Sequence, residues 1–185
     1  VLFVTGASQG AATINEMLAE FVRTRPGVLA GWQVLHQVGP GKAAGEAGTA
    51  ALESAYRDAG VLATIVGLLD EVGVAWGAAE LAVSRAGAGS AAEVRANAVP
   101  TLFLPYPFHR DQHQRRNVEP MVEAGGSALA TDHREASANA ADAGGTLAGL
   151  LADRDGRDAM AEALRALGPV DGASRIASIL GDSSG

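Results

Sequence analysis

The chain carries 185 residues, 48% of them hydrophobic and only 4% aromatic, with a formal net charge of -7. Such a length holds one domain with a sizeable core, and the wealth of Ala, Gly, Val and Leu suits helices packed closely on a parallel sheet. All but one of the 14 basic residues are arginine, Lys42 being the exception, and they form no clustered stripe, which argues against nucleic acid as a partner.

The lack of cysteine excludes a disulfide framework and a thiolate metal site. No apolar run reaches the roughly 18 residues of a membrane span and none resembles a signal peptide, so a cytosolic compartment is expected. The chain opens at Val1, without Met, inside the strand-like run Val1-Leu2-Phe3-Val4, as expected of the second half of something larger.

Strands and helices alternate from there. Val1–Val4 reads as a buried strand and Thr5-Gly6-Ala7-Ser8-Gln9-Gly10 as a turn. From Ala11 to Arg23 apolar residues recur at Ile14, Met17, Leu18, Phe21 and Val22, the spacing of an amphipathic helix, which Pro26-Gly27 ends. Trp32–Gln37 is the second strand, Ala47–Ala59 a helix closed by Gly60, and Val61–Val66 the third strand. Leu68-Leu69-Asp70-Glu71 leads into a short helix ending near Ala78, followed by a fourth strand, Ala79–Val83, and a helix, Ala91–Asn97. Thr101–Leu104 is the fifth strand; a helix over Asp111–Ala124, with a kink expected at Pro120, precedes the sixth, Ser127–Ala130. The remainder is helical over 139–152, 155–167 and 171–180, with the Ala-, Asp- and Gly-rich region 132–145 expected to form a loose loop. No internal repeat is present. This alternation predicts an α/β fold, a doubly wound parallel sheet of about six strands in one domain, with a helical C-terminal segment.

Ligands of such sheets bind outside the carboxyl ends of the strands. The loops there carry Ser8-Gln9-Gly10, Leu68-Leu69-Asp70, Arg85 to Glu93, and His109 to Gln114, so four loops are expected to converge on one crevice. The third has the strongest chemistry. Ser84-Arg85-Ala86-Gly87-Ala88-Gly89-Ser90 is a glycine-rich turn between a strand and a helix start, where backbone N–H groups and the helix dipole favour an anion. Glu93 stands three residues after Ser90, as in a capping box; it can instead offer its carboxylate to the vicinal hydroxyls of a ribose.

Two other signals are weaker. Thr5-Gly6-Ala7-Ser8-Gln9-Gly10 looks like the cofactor turn of short-chain dehydrogenases, but Ala12 stands where a further glycine belongs, and Tyr56 and Tyr106 are followed four residues later by Gly60 and Arg110 instead of lysine. An oxidoreductase is therefore not expected. His109 and His113 bracket Asp111 at a spacing that can hold a metal only with a third ligand from another loop. Their other readings are the solvated polarity of a helix start, or, with Gln114, a lining for sugar hydroxyls.

A resemblance joins these segments. Thr5-Gly6-Ala7-Ser8-Gln9-Gly10-Ala11 with Ile14-Asn15, His36-Gln37-Val38-Gly39, Arg85-Ala86-Gly87-Ala88, and Asp111-Gln112-His113-Gln114 with Asn117 stand in the order and spacing of one family. The chain resembles, over roughly residues 1–180, the carboxy-terminal half of the MurG family, transferases that add N-acetylglucosamine to undecaprenyl-pyrophosphoryl-MurNAc-pentapeptide (lipid I) and make lipid II. The resemblance implies one Rossmann-like half of a GT-B glycosyltransferase, inverting, free of metal and cofactor, with UDP-GlcNAc held mainly by this half.

It also implies roles. Ser8, with Gln9 and Gly10 beside it, meets the donor near its sugar or diphosphate, and Leu69 presents backbone groups to the uracil edge. Gly87, Ala88, Gly89 and Ser90 hold the diphosphate and sugar through N–H groups; Glu93 takes the ribose hydroxyls, and Gln114, with His113 beside it, the GlcNAc hydroxyls. Arg85 either touches phosphate or forms a salt bridge under the turn.

The family commonly has Arg-Ser-Gly-Ala-Leu-Thr where this chain has Arg85-Ala86-Gly87-Ala88-Gly89-Ser90. Ser90 keeps the hydroxyl, whereas Gly89 loosens the turn and removes an apolar contact. The catalytic base, the lipid I site and the face that docks on the inner side of the bacterial membrane are expected in the amino-terminal half, so this chain alone is expected to bind UDP-GlcNAc weakly and transfer nothing. The alternatives are the donor half of another UDP-sugar transferase of the same fold, or a non-catalytic nucleotide-sugar-binding module.

Overall fold

The computed structural model describes residues 1–6, 10–40, 46–107 and 113–182. Six strands, β1 (Leu2–Thr5), β2 (Gln33–Gln37), β3 (Leu62–Val66), β4 (Leu81–Ser84), β5 (Thr101–Phe103) and β6 (Ser127–Leu129), form one parallel sheet in the order β3-β2-β1-β4-β5-β6. Between them run α1 (Ala12–Thr24), α2 (Glu46–Asp58), α3 (Val72–Ala78), α4 (Ala88–Asn97) and α5 (His113–Glu123), followed by α6 (Ala136–Ala152), α7 (Arg154–Ala166) and α8 (Gly172–Asp182).

Side chains of successive strand residues point to opposite faces, so each central strand feeds two cores. Leu2, Val4, Leu81, Val83, Leu102 and Leu104 meet α1, α2 and α6 through Ile14, Phe21, Leu52, Tyr56, Ala143 and Leu147. On the other face Phe3, Ala82 and Phe103 meet α3, α4, α5 and α7 through Trp76, Val94, Val118, Met121 and Leu164. Right-handed crossovers explain the division: winding outward from β1 through β2 to β3 covers one face, and the jump from β3 back to β4 reverses direction and covers the other.

Two local features bear on the expectations. The helix expected over 139–152 forms and starts at Ala136, so most of the loose loop expected over 132–145 is helix, although Gly144 and Gly145 lie inside it. Small residues here let α6 press on α1; a Cβ at Gly144 would stand 2.6 Å from Nη1 of Arg25, which donates to the carbonyl of Ala140 at 3.2 Å. Glu135 caps the helix by accepting the backbone N–H groups of Ser137 and Ala138. Pro120 lies inside α5, which continues past it, and the Pro120 carbonyl accepts the N–H of Ala124 at 3.1 Å.

Candidate functional site

β1 and β4 lie side by side at the centre of the sheet, and the chain leaves their carboxyl ends toward opposite faces, into α1 and α4. This is the switch point where doubly wound sheets open a crevice. Gly6 leaves β1 packed so tightly that a Cβ there would overlap backbone atoms of Gly10 and Ala11, and Gly10 takes a positive φ of 71° that favours glycine.

The two helices facing each other here share a property. Neither α1, with Ala11 as N-cap, nor α4, with Gly87, has a side-chain cap or an acid in its first turn. Among the described residues, the first bonded N–H of α4 is that of Ala91, to the Gly87 carbonyl at 2.9 Å. The N–H groups of Ala88, Gly89 and Ser90 therefore stay available at the positive end of the dipole. α6 and α7, by contrast, are capped by Glu135 and Asp153.

The expected capping box is not formed. Gly87, extended at φ -66° and ψ 156°, takes the N-cap position, so α4 starts three residues earlier than expected and Ser90 lies within its first turn. Ser90 is buried, and its hydroxyl has no hydrogen-bond partner among the described residues. Glu93 is half-buried, and its Oε2 accepts the indole N–H of Trp76 at 2.9 Å, leaving Oε1 open among the described residues. Trp76 is itself buried against Phe3, ring to ring at 4.9 Å and 86°. Leu69, ahead of α3, packs its side chain on the same core, which leaves its backbone as the part that can face a ligand.

Arg85 lies under the turn. Its Nη1 donates to Asp132 Oδ2 at 2.7 Å and to the carbonyls of Leu104 at 2.9 Å and Pro105 at 3.3 Å, while Nη2 donates to Thr13 Oγ1 at 2.6 Å. Of the two expectations for Arg85, the salt bridge is the one built. Asp132 also accepts from the Thr13 hydroxyl at 2.6 Å, Arg134 N at 2.8 Å and Asn139 Nδ2 at 3.0 Å. Burial raises its pKa, and these hydrogen bonds outweigh that and hold it below the usual carboxylate value. On the other side, Asn117 Nδ2 donates to the Ala86 carbonyl at 3.0 Å. The turn is thus held from α1, α5 and the segment before α6.

Gln114 accepts the Tyr106 N–H at 2.8 Å, so its amide NH2 remains for a ligand, and His113 begins α5 in an exposed position. Ser8 and Gln9, and the metal pair's His109 and Asp111, lie outside the described residues. The segments after β3 and β4 are joined directly by Trp76 and Glu93, and those after β4 and β5 by Asn117 and Ala86. Thr13, Trp76, Asp132 and Asn139 carried no signal of their role in the sequence, since each acts through a partner distant in the chain.

A model of the glycosyltransferase family 28 C-terminal domain matches residues 1–143. The chain belongs to glycosyltransferase family 28. This family-28 domain is 38% identical over 183 residues to the UDP-N-acetylglucosamine--N-acetylmuramyl-(pentapeptide) pyrophosphoryl-undecaprenol N-acetylglucosamine transferase of Xylella fastidiosa (strain M12), a match covering 99% of this chain and 48% of that protein. The transferase of the same name from Nocardioides sp. (strain ATCC BAA-499 / JS614) is 36% identical over 181 residues, covering 97% and 46%. The chain spans about half the length of the curated relatives it matches. The crystal structure of Acinetobacter baumannii MurG superposes with a TM-score of 0.80 at 21% identity, covering 98% of this chain and 49% of that one, and shares the fold.

Within the family-28 domain His36 is structural. Its Nε2 lies 2.9 Å from Asn15 Oδ1, which can only accept, so Nε2 carries the proton and Nδ1 accepts the Tyr56 O–H at 2.9 Å. Burial lowers the His36 pKa to about 3 and raises that of Tyr56. Asn15 passes the constraint on, donating to the Val38 carbonyl at 3.1 Å, while Gly39 N donates to the Gly67 carbonyl at 3.0 Å. The loops after β2 and β3 are thereby tied to the start of α1.

Two cavities flank this arrangement. A cleft of about 630 Å³ includes Tyr106, Gln114, Arg115 and His133 and adjoins the segment after β5. A groove of about 590 Å³ between α1 and α2 runs along helix faces, with Glu16, Glu20 and Asp58 at its edge, away from the strand ends. Among the described residues, no helix is long and apolar enough to cross a membrane.

Proposed function

We propose that residues 1–185 form the donor-binding domain of a transferase that moves N-acetylglucosamine from UDP-GlcNAc to lipid I, forming lipid II for peptidoglycan. One observation carries this reading: the uncapped tip of α4 offers the N–H groups of Ala88, Gly89 and Ser90 at the switch point, with the Glu93 carboxylate one helical turn behind. Membership of family 28 and the names of the relatives support the substrate.

In this reading the α4 tip, with Gly87 giving close approach and the Ser90 hydroxyl donating, binds the diphosphate. The tip of α1 behind Ser8, Gln9 and Gly10 faces the same anion from across the crevice. Oε1 of Glu93 accepts a ribose hydroxyl while Trp76 holds Oε2. Backbone groups at Leu69 meet the uracil, and Gln114, with His113, meets the sugar hydroxyls. When the glycosidic bond breaks, charge grows on the leaving diphosphate, and helix-tip dipoles already aimed there stabilise it without rearranging. The resemblance to the MurG family implies that the reaction is inverting and metal-independent. This reading assigns the acceptor site, its base and the attachment to the inner face of the membrane to a part that this chain, spanning about half the length of its relatives, does not cover.

Titration calorimetry tests the reading. The chain binds UDP and UDP-GlcNAc with competing heats, and transfers nothing to lipid I when incubated alone. No heat from either ligand at millimolar concentration overturns it.

A further inference from the structure

We propose that Asp132 is a positioning residue for the diphosphate turn, acting through Arg85; the inference rests on the donor-binding reading above. Arg85 is the residue by which the chain leaves β4, two positions before the N-cap of α4. Its guanidinium turns away from solvent, crosses the end of β5 at the Leu104 and Pro105 carbonyls, and ends on Asp132 at 2.7 Å. Both members are buried, with side-chain exposures of 8% and 0%.

Thr13 closes the third side of the network. It belongs to the first turn of α1, accepts from Arg85 Nη2 at 2.6 Å and donates to Asp132 Oδ2 at 2.6 Å. One ion pair thus reaches both helix tips that face each other at the switch point. Asp132 is fixed in turn from its own segment by Arg134 N and by Asn139 Nδ2, the first donor belonging to a residue at a positive φ of 64°. The segment before α6 is wound around this carboxylate.

The consequence for binding is geometric and electrostatic. With its charge met by Asp132 and both terminal nitrogens occupied, Arg85 holds the turn and leaves phosphate contact to the backbone N–H groups of α4. A guanidinium held through both terminal nitrogens and desolvated transmits displacement, because an unpaired buried charge costs far more than a small shift of the loop. Loss of Asp132 therefore moves the N–H groups of Ala88 and Gly89 relative to the base and ribose contacts. The loss falls on the phosphates of a ligand, not on its nucleoside.

The test compares UDP with uridine on the full chain by calorimetry, well below the melting temperature of each variant. Asp132→Asn and Thr13→Val each lower UDP affinity, the former roughly tenfold, with uridine affinity unchanged. The double variant Arg85→Met with Asp132→Asn loses no more than Arg85→Met alone, as expected if Asp132 works only through Arg85. An unchanged or increased UDP-to-uridine ratio in Thr13→Val, or additive losses in the double variant, overturns the inference while leaving donor binding intact. Thr13→Val removes neither charge and decides the question if Asp132→Asn does not fold. Failure of the unsubstituted chain to bind UDP overturns the donor-binding reading, and this inference with it.

Discussion

The indole N–H of Trp76 donates to Oε2 of Glu93 at 2.9 Å, joining the helix after β3 to the helix after β4. A half-buried carboxylate on the second turn of a helix has several rotamers open to it; this bond selects one and keeps a lone oxygen for a ligand. Under the proposed donor-binding function, the pairing gives Trp76, a core aromatic in every other respect, a part in binding.

Trp76→Phe separates the two roles. It preserves a ring against Phe3 but removes the N–H and shrinks the buried indole to a phenyl, so stability falls by about 2 kcal/mol or more while UDP affinity falls several-fold. Glu93→Ala lowers UDP affinity by roughly tenfold or more, the scale of a hydrogen bond to a charged group, and weakens 2′-deoxy-UDP less. Calorimetry with both ligands reads the difference; equal losses for the two would remove Glu93 from the ribose.

Asn117→Ala releases the Ala86 carbonyl on the other side of the turn. The lost bond is partly buried, so thermal unfolding shows a loss of about 1 kcal/mol, and UDP binding weakens without a change in uridine binding. Asn117→Asp, which cannot donate, matches the alanine variant. A normal UDP affinity in both would mean that Arg85 alone holds the turn.

Gly6→Ala is the most disruptive single change expected. The added Cβ meets backbone at Gly10 and Ala11, not a side chain that can move aside. The start of α1 has to shift, costing about 3 kcal/mol or more, and UDP binding is lost with it. Gly144→Ala is the matched control: its Cβ meets only the end of Arg25, and the helical gain of about 1 kcal/mol offsets the displaced guanidinium. Melting curves for the two variants differ accordingly.

His36 makes the fold acid-sensitive. Its folded pKa, about 3, lies below the 6.5 of the unfolded chain, so the unfolded state takes up a proton first as pH falls. The His36 contribution is complete above pH 6.5 and declines toward pH 3 by at most about 1.4 kcal/mol per pH unit. Asp132 and Glu135, both held below their usual values, add losses only at the acid end of that range. Denaturant unfolding from pH 7 to pH 4 shows the decline, and His36→Gln flattens it while lowering stability at pH 7. Equal slopes for the two proteins would refute the buried neutral imidazole.

How much of this was legible from residues alone differs between backbone and side chain. The six strands, the parallel winding and the turn after β4 follow from signals within a few residues of each other: apolar runs of strand length, three-and-four periodicity, and glycine clusters. The failures are also instructive. The loose loop expected over 132–145 is mostly helix because the alanines and glycines of α6 gain their stability from close approach to α1, and Ser90 does not cap because Gly87 adopts the N-cap conformation first.

The sequence by itself determined where the chain turns and which loops gather at the strand ends, since both depend on local backbone preference and on the handedness of crossovers. Only the tertiary structure decided what Arg85, Glu93 and His36 do. Their partners, Asp132, Trp76, Asn15 and Tyr56, lie 47, 17, 21 and 20 residues away in the chain. A polar side chain takes the partner that folding brings within about 3 Å in a desolvated place, and no spacing along the chain encodes that distance.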